Sequence, residues 1–277
     1  MRVVTRGSII EQAKRIVTLL SDFGLRDYYV AAIKGVMLGI NPELRFIDIS
    51  HMIPPQDVHS GAFTLGQAYS YFPLGTVHLA VVDPGVGTER KALVAAAGGQ
   101  FFVGPDNGIF TYVLQKAEGS EVFEVTGDHY FRKPVSSTFQ ARDIFAPVAA
   151  WISRDIPLRQ FGPELPNPVR LKLPGVVKVR EGLIQGAVLA ADHFGNLVTN
   201  LRPEDVPAYE TPGRRSCRIL VAQREIDIFR RTFGEGNPGE ILVVPGSTGY
   251  LEIVVCGGSA ARQLNVGPGA PVGVVIG

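Results

Sequence analysis

A chain of 277 residues with 45% apolar and 19% charged side chains has material for one large globular domain or two modest ones. Its formal net charge of +1, without a lysine or arginine stripe, offers no field suited to a nucleic-acid backbone, and no run of about 18 apolar residues would span a membrane. Two cysteines, Cys217 and Cys256, lie far apart without CxxC spacing, so they read as buried thiols of a reducing compartment and not as a disulfide frame or zinc site.

In chain order, the first fifteen residues carry Arg2, Arg6, Lys14 and Arg15 but no apolar core before Ile16, so no signal peptide is expected and the cytoplasm is the expected location. Residues 16–20 form a short apolar strand ending in Ser21-Asp22-Phe23-Gly24. Tyr29, Ile33, Val36, Met37 and Ile40 recur at helical spacing, which predicts a helix over 28–39. A strand over 44–49 closes on Ser50 and His51, a helix follows over 57–71, and a strand over 76–82 runs directly into Asp83. Strands at 92–97 and 100–103, a helix over 109–116 and a strand over 122–125 continue the alternation. Asp143 reads as the N-cap of a helix through Ser153, with Pro147 admissible near its first turn. This pattern predicts an α/β domain with a largely parallel sheet over 16–165. Pro157, Pro163, Pro166, Pro168 and Pro174 then punctuate the chain, and 166–180 reads as a linker. From 181 to 277 the segments 184–190, 217–222, 240–244, 250–255 and 271–276 are β in character between Gly- and Pro-rich turns, predicting a smaller all-β domain, barrel or sandwich.

Four acids, Asp22, Asp27, Asp83 and Asp106, end or follow strands of the first domain. Each alone reads as a turn or cap residue. Together they predict a polar crevice, because ligands of open α/β sheets sit outside the carboxyl ends of the strands. After Asp83 comes the loop Pro84-Gly85-Val86-Gly87-Thr88-Glu89, and Arg90 re-enters where it can return to Asp83. A carboxylate such as Asp22 has about four acceptor sites, which suits the two hydroxyls of a ribose. No GxGxxG or GxxxxGK[ST] loop offers a phosphate cradle. A metal held by Asp22, Asp83, Asp106 and His51 is conceivable but lacks any ligand spacing, so none is expected. In the second domain, 191–200 (ADHFGNLVTN) places Asp192 and Asn196 around Phe194-Gly195 in a turn, offering a carboxylate, an amide and an aromatic face. His193 reads as a surface residue, and the turn 246–250 (GSTGY) could present hydroxyls and amides to a carboxylate.

The segments 16–24 (IVTLLSDFG), 53–57 (IPPQD), 81–90 (VVDPGVGTER), 103–108 (VGPDNG), 138–147 (TFQARDIFAP), 192–200 (DHFGNLVTN) and 247–261 (STGYLEIVVCGGSAA) follow one another in the order seen in one family. The chain resembles the S-adenosyl-L-methionine hydroxide adenosyltransferases, relatives of the fluorinases and chlorinases, over about residues 16–277. The resemblance implies a homotrimer of two-domain subunits that binds S-adenosylmethionine at subunit interfaces. Hydroxide or water attacks ribose C5′, and adenosine and L-methionine leave, with no cofactor. It implies that Asp22 holds the ribose hydroxyls, Asp192 the methionine ammonium, Ser247 the carboxylate and Asn196 the adenine, with Phe194 packed nearby. Asp83 and Arg90 would place the attacking water.

The resemblance breaks at one position. The family carries His-Gly before the Arg-Asp of its fifth motif, and this chain has Gln140-Ala141. Glutamine hydrogen-bonds but does not titrate near neutral pH. Gln140 therefore either orients the water in place of a histidine or marks a protein that binds S-adenosylmethionine or adenosine with weakened catalysis. A chloride-dependent transferase is the third reading. It is disfavoured by Ala141, which lacks a donor for the halide, and by the absence of the extra fluorinase loop between Val58 and Thr76.

Overall fold

The computed structural model describes residues 15–206 and 217–277, so the reading of the basic N-terminal segment falls outside the described residues. The chain divides into two compact units, 1–171 and 172–277.

The first unit is built on a six-stranded sheet of β1 (Ile16–Ser21), β2 (Arg45–Ser50), β3 (Val77–Val81), β4 (Ala92–Ala97), β5 (Gln100–Pro105) and β6 (Glu121–Glu124), in the order β2-β1-β3-β5-β4-β6. β2, β1, β3 and β5 run parallel, and β4 pairs antiparallel with β5 and β6. The sheet is therefore mixed but parallel where it matters, as the strand–helix alternation predicts.

Helices α1 (Tyr29–Ile40), α2 (Val58–Ala68), α3 (Thr111–Lys116) and α4 (Ala146–Ile152) cover it. Side chains alternate across the pleat with period two. Val17, Leu19, Val77, Leu79 and Val81 join a core with Ile33 and Met37 of α1 and Val148 and Ile152 of α4. Leu20, Ala80, Val82 and Phe102 join a second core with Leu65 of α2 and Val113 of α3. β3 is buried along its whole length, which is why it reads as an uninterrupted apolar run. Asp57 caps α2 by accepting from the Ser60 N–H at 3.0 Å, and Asn41 ties the end of α1 to α4 through its Nδ2 donating to Ser153 Oγ at 2.9 Å.

One expectation is corrected. Asp143 caps no helix. It is fully buried inside a π-helical turn, Ala141–Phe145, that precedes α4. Arg142 Nε and Nη2 donate to its oxygens at 2.7 and 2.8 Å, Arg132 Nη1 at 3.1 Å and the Ser136 N–H at 2.9 Å. Burial by itself would raise its pKa. The donors outweigh burial and hold the carboxyl below its ordinary range. The first helical turn of α4 does contain Pro147.

The second unit is an eight-stranded antiparallel sheet of β7 (Val177–Arg180), β8 (Leu183–Ala191), β9 (Leu197–Thr199), β10 (Cys217–Val221), β11 (Arg224–Ile226), β12 (Ile241–Pro245), β13 (Leu251–Val255) and β14 (Pro271–Ile276), with one short helix, α5 (Ala260–Leu264). The order β11-β10-β14-β8-β9-β13-β12, with β7 on β8, curls so that its end strands approach each other. The result is nearly a barrel around Val188, Leu197, Ile219, Val243, Ile253 and Val272. Cys217 is buried, as its sequence reading expects, whereas Cys256 is only partly so, its Sγ donating to the Phe233 carbonyl at 3.4 Å. Among the described residues no helix is long and apolar enough to cross a membrane.

His78 on β3 is fully buried, its Nδ1 2.7 Å from Thr18 Oγ1 and its ring stacked on Phe102 at 4.9 Å. Burial pushes its pKa down to about 4. The fold takes the neutral ring, whereas the unfolded chain protonates it near pH 6.5. The stabilisation is thus complete above about pH 6.5 and is lost as pH falls toward 4, by about 3 kcal/mol in total. Urea unfolding of wild type and His78→Gln at pH 7 and pH 4.5 should show a smaller acid loss in the variant. Equal losses would remove His78 as the cause.

Candidate functional site

The parallel register of β1 and β3 pairs Ser21 with Val81. The residues that follow each strand therefore emerge together at the carboxyl edge of the sheet, and a cavity of about 370 Å³ opens there. Asp22, Asp83 and Gln140 line it with Phe23, Tyr29 and Phe139. The three rings form one aromatic wall, Phe139 meeting Tyr29 edge-on at 5.1 Å and Phe23 at 6.1 Å.

Arg90 returns to Asp83 across the loop, as its spacing predicts. Its Nε donates to Asp83 Oδ1 at 2.9 Å and Oδ2 at 3.1 Å, and its Nη2 makes a further short contact with Oδ2. The same Nη2 donates to Gln140 Oε1, and the guanidinium lies over the Phe145 ring at 5.1 Å. The pair is nearly dry, with the Asp83 side chain 5% exposed and that of Arg90 12%. Gly87 makes the loop possible. It sits at φ +78°, and a side chain there would meet the Ser137 carbonyl at 2.6 Å.

Asp22 accepts from the Gln56 N–H at 2.8 Å through Oδ2 only, which leaves most of its acceptor capacity open. Gln56 itself adopts a left-handed conformation, φ 65°. Beneath it, Ser21 Oγ lies 2.7 Å from His51 Nδ1, and the Gly24 N–H donates to the His51 carbonyl at 2.8 Å. His51 Nε2 is 3.1 Å from Asp48 Oδ1, off the line of an N–H bond. These contacts fix the loop that carries Asp22 and engage Nδ1 of His51. The other two acids are not at the cavity. Asp27 is exposed, and Asp106 is buried, accepting from the Val169 N–H at 2.8 Å, with burial raising its pKa. Among the described residues no three His, Cys, Asp or Glu side chains converge as metal ligands.

In the second unit the turn between β8 and β9 brings Asp192 and Asn196 together. The Asn196 N–H donates to Asp192 Oδ1 at 2.8 Å and its Nδ2 to Oδ2 at 2.9 Å. Gly195 closes the turn at φ +86°, where a side chain would collide with Ser259. Phe194 projects outward, 73% exposed, with His193 against it. Ser247 is exposed in the turn between β12 and β13, closed by the Gly246 N–H donating to the Tyr250 carbonyl at 2.8 Å.

Sequence reasoning missed two residues of the cavity. Gln56 and Phe139 carry no signal beyond lying inside quoted motifs, because the first acts through its backbone and the second through packing on the cavity wall.

The architecture is that of a two-domain α/β-plus-β protein with an acid–arginine–amide site at a strand edge. Profiles of the SAM hydroxide adenosyltransferase N-terminal and C-terminal domains match residues 17–162 and 186–273. The chain belongs to the SAM hydroxide adenosyltransferase family. It is 41% identical to the (R)-S-adenosyl-L-methionine hydrolase of Salinispora tropica, covering 94% of this chain and 98% of that one, and 40% identical to that of Thermus thermophilus, covering 93% and 98%. A fluorinase of Actinoplanes is more distant at 27%, covering 94% and 97%. An uncharacterized conserved protein of Thermotoga maritima superimposes with a TM-score of 0.86 at 37% identity, covering 94% and 99%.

Replacing Arg90 by Met strands a dry Asp83 carboxylate, and stability should fall by about 3 kcal/mol. The double variant Asp83→Asn/Arg90→Met should recover much of that loss, read as a coupling energy from denaturant unfolding. Additive losses would show that the pair does not hold the loop.

Proposed function

We propose that this protein hydrolyses S-adenosyl-L-methionine to adenosine and L-methionine by in-line attack of hydroxide or water at ribose C5′. The observation that carries the reading is the Asp83–Arg90–Gln140 chain beside Asp22 in one cavity. Asp22 accepts from the ribose hydroxyls with the oxygen that Gln56 leaves open. In the second unit, Asp192 takes the methionine ammonium, Ser247 the carboxylate and Asn196 the adenine, with Phe194 as an apolar surface against the ligand.

The chemistry asks little of a general acid. The sulfonium leaves as a neutral thioether, and attack by an anion cancels charge on the way to the transition state. The remaining task is alignment of oxygen, C5′ and sulfur. Gln140 contributes through its orientation. A guanidinium only donates, so the amide oxygen must face Arg90 and the amide NH2 must point away from it. That NH2 makes no hydrogen bond to another described residue, and it is suited to hold an oxygen nucleophile that carries negative charge. This favours turnover over the reading of a binding protein with a broken site, since Gln140 completes the hydrogen-bond chain. Asp83, held by Arg90 on both oxygens, orients water in the same scheme.

No cofactor enters the scheme, which takes place in the cytoplasm. The assembly proposed is a homotrimer in which each substrate is shared between neighbouring copies. The exposed Leu25, Tyr28 and Met52, close in sequence to cavity residues, support a covered face there.

Chromatography of S-adenosylmethionine incubated with the purified protein should yield adenosine and methionine in equal amounts. Turnover should rise with pH without a break between about pH 6 and 8, and Gln140→His should introduce an inflection near about 6.5. Added chloride should give no 5′-chloro-5′-deoxyadenosine. No adenosine above the uncatalysed background would end the proposal.

A further inference from the structure

Asp106 and Asn107 stand outside the cavity, in the turn between β5 and α3, yet that turn holds both ends of the loop that carries Asp83 and Arg90. Asn107 Nδ2 donates to the Val82 carbonyl at 2.7 Å, one residue before Asp83. The Asp106 N–H donates to the Lys91 carbonyl at 2.9 Å, one residue after Arg90, and Arg90 Nη1 reaches the same carbonyl at 3.4 Å.

Val82 is fully buried and lies one residue beyond the end of β3. The ladder pairs β3 with β1 as far as Val81 and with β5 as far as Leu79, so it stops short of this carbonyl. A buried carbonyl is costly unless something donates to it, and the Asn107 amide does. The amide cannot face the other way. Its Oδ1 accepts from the Ile109 N–H at 3.2 Å, and an N–H only donates as a carbonyl only accepts. The turn is itself anchored. Asp106 Oδ1 accepts from the Val169 N–H at 2.8 Å, and the buried Thr111 Oγ1 donates to the Gly108 carbonyl at 2.6 Å while accepting from the Leu171 N–H at 2.9 Å.

Asp83 and Arg90 are aligned only as well as the backbone beneath them. The intervening segment contains Gly85 and Gly87, which leave it much conformational freedom. Pins on the residue before the acid and on the residue after the arginine remove that freedom at both points of attachment. A misplacement of about 1 Å, even from a change remote from the chemistry, can cost about a hundredfold in rate.

We propose that Asn107 is a positioning residue for the hydrolysis. Through the Val82 carbonyl it sets Asp83, and with it the Arg90–Gln140 chain, for the attacking oxygen. This rests on the hydrolase reading above and adds to it a residue that touches neither substrate nor cavity.

Asn41, between α1 and β2, supplies a matched control. Its Nδ2 also donates to an oxygen, Ser153 Oγ at 2.9 Å, and its Oδ1 also accepts from the N–H two residues on, that of Glu43 at 3.1 Å. Turnover of S-adenosylmethionine is to be measured for wild type, Asn107→Asp, Asn107→Ala and Asn41→Ala, with the urea midpoint of each. The carboxylate of Asn107→Asp keeps the acceptor for Ile109 but sets a second acceptor against Val82. Both Asn107 variants should lower kcat by about 10- to 100-fold with KM within about twofold of wild type. Asn41→Ala should lose a comparable amount in urea midpoint and keep its kcat. A folded Asn107 variant with unchanged kcat, a rise in KM alone, or an equal loss of kcat in Asn41→Ala would overturn the assignment. So would both Asn107 variants failing to fold where Asn41→Ala folds, since the residue would then serve folding and not alignment. If wild type itself forms no adenosine, the hydrolase reading fails and this role with it. If wild type turns over and the Asn107 variants match it, only the positioning role is lost.

Discussion

Arg90 donates to both oxygens of Asp83 and to the amide oxygen of Gln140, and because a guanidinium accepts nothing it dictates the state of both neighbours. The acid stays an acceptor pointed at its counter-ion, and the amide is left with only donors to offer. In the low-dielectric edge of the sheet this ordering is stiff, since breaking either contact strands a charge or a polar group. The loop around Gly87, the aromatic floor at Phe145 and the turn before α4 all converge on keeping that one side chain in place. On the proposed reading, chemistry at the cavity then becomes a matter of geometry, with no titrating group required at position 140.

The path from sequence to this arrangement was short where the information is local. Asp22 and Asp83 are legible because each follows an apolar run, and a parallel sheet brings such ends to one edge. Arg90 is legible because a Pro- and Gly-rich loop of that length returns to its start. The family resemblance supplied what spacing does not, namely which acid meets which part of a ligand.

Other features are illegible for a physical reason. Asp143 looks like a cap because an acid before an apolar helix usually is one. Besides the adjacent Arg142, its partners Arg132 and Ser136 lie upstream and reach it only because the intervening chain folds back. β9 and β11 have three residues each, too few to establish a period of two. β7 is exposed on both faces, an edge strand with Lys178 and Arg180, so no alternation marks it. Glu252 sits in Leu-Glu-Ile, where alternation assigns it to solvent. Its burial depends on the Ser247 turn folding over it, and that turn is specified elsewhere in the chain.

The π-helical turn Ala141–Phe145 carries a further consequence. Such a turn holds one residue more than the α-helix would in the same span, and successive helical residues are separated by about 100°. Trimming one residue from it would turn the residue at position 140 by about 100° relative to α4 and so off the guanidinium. The wide turn thus works as an angular setting for one amide while Ala141, Ile144 and Phe145 anchor it in the core. Length changes there, more than substitutions, are the natural route by which a chain of this fold could reshape this cavity, at a cost to the packing of Ile144 and Phe145 and to the buried Asp143 network.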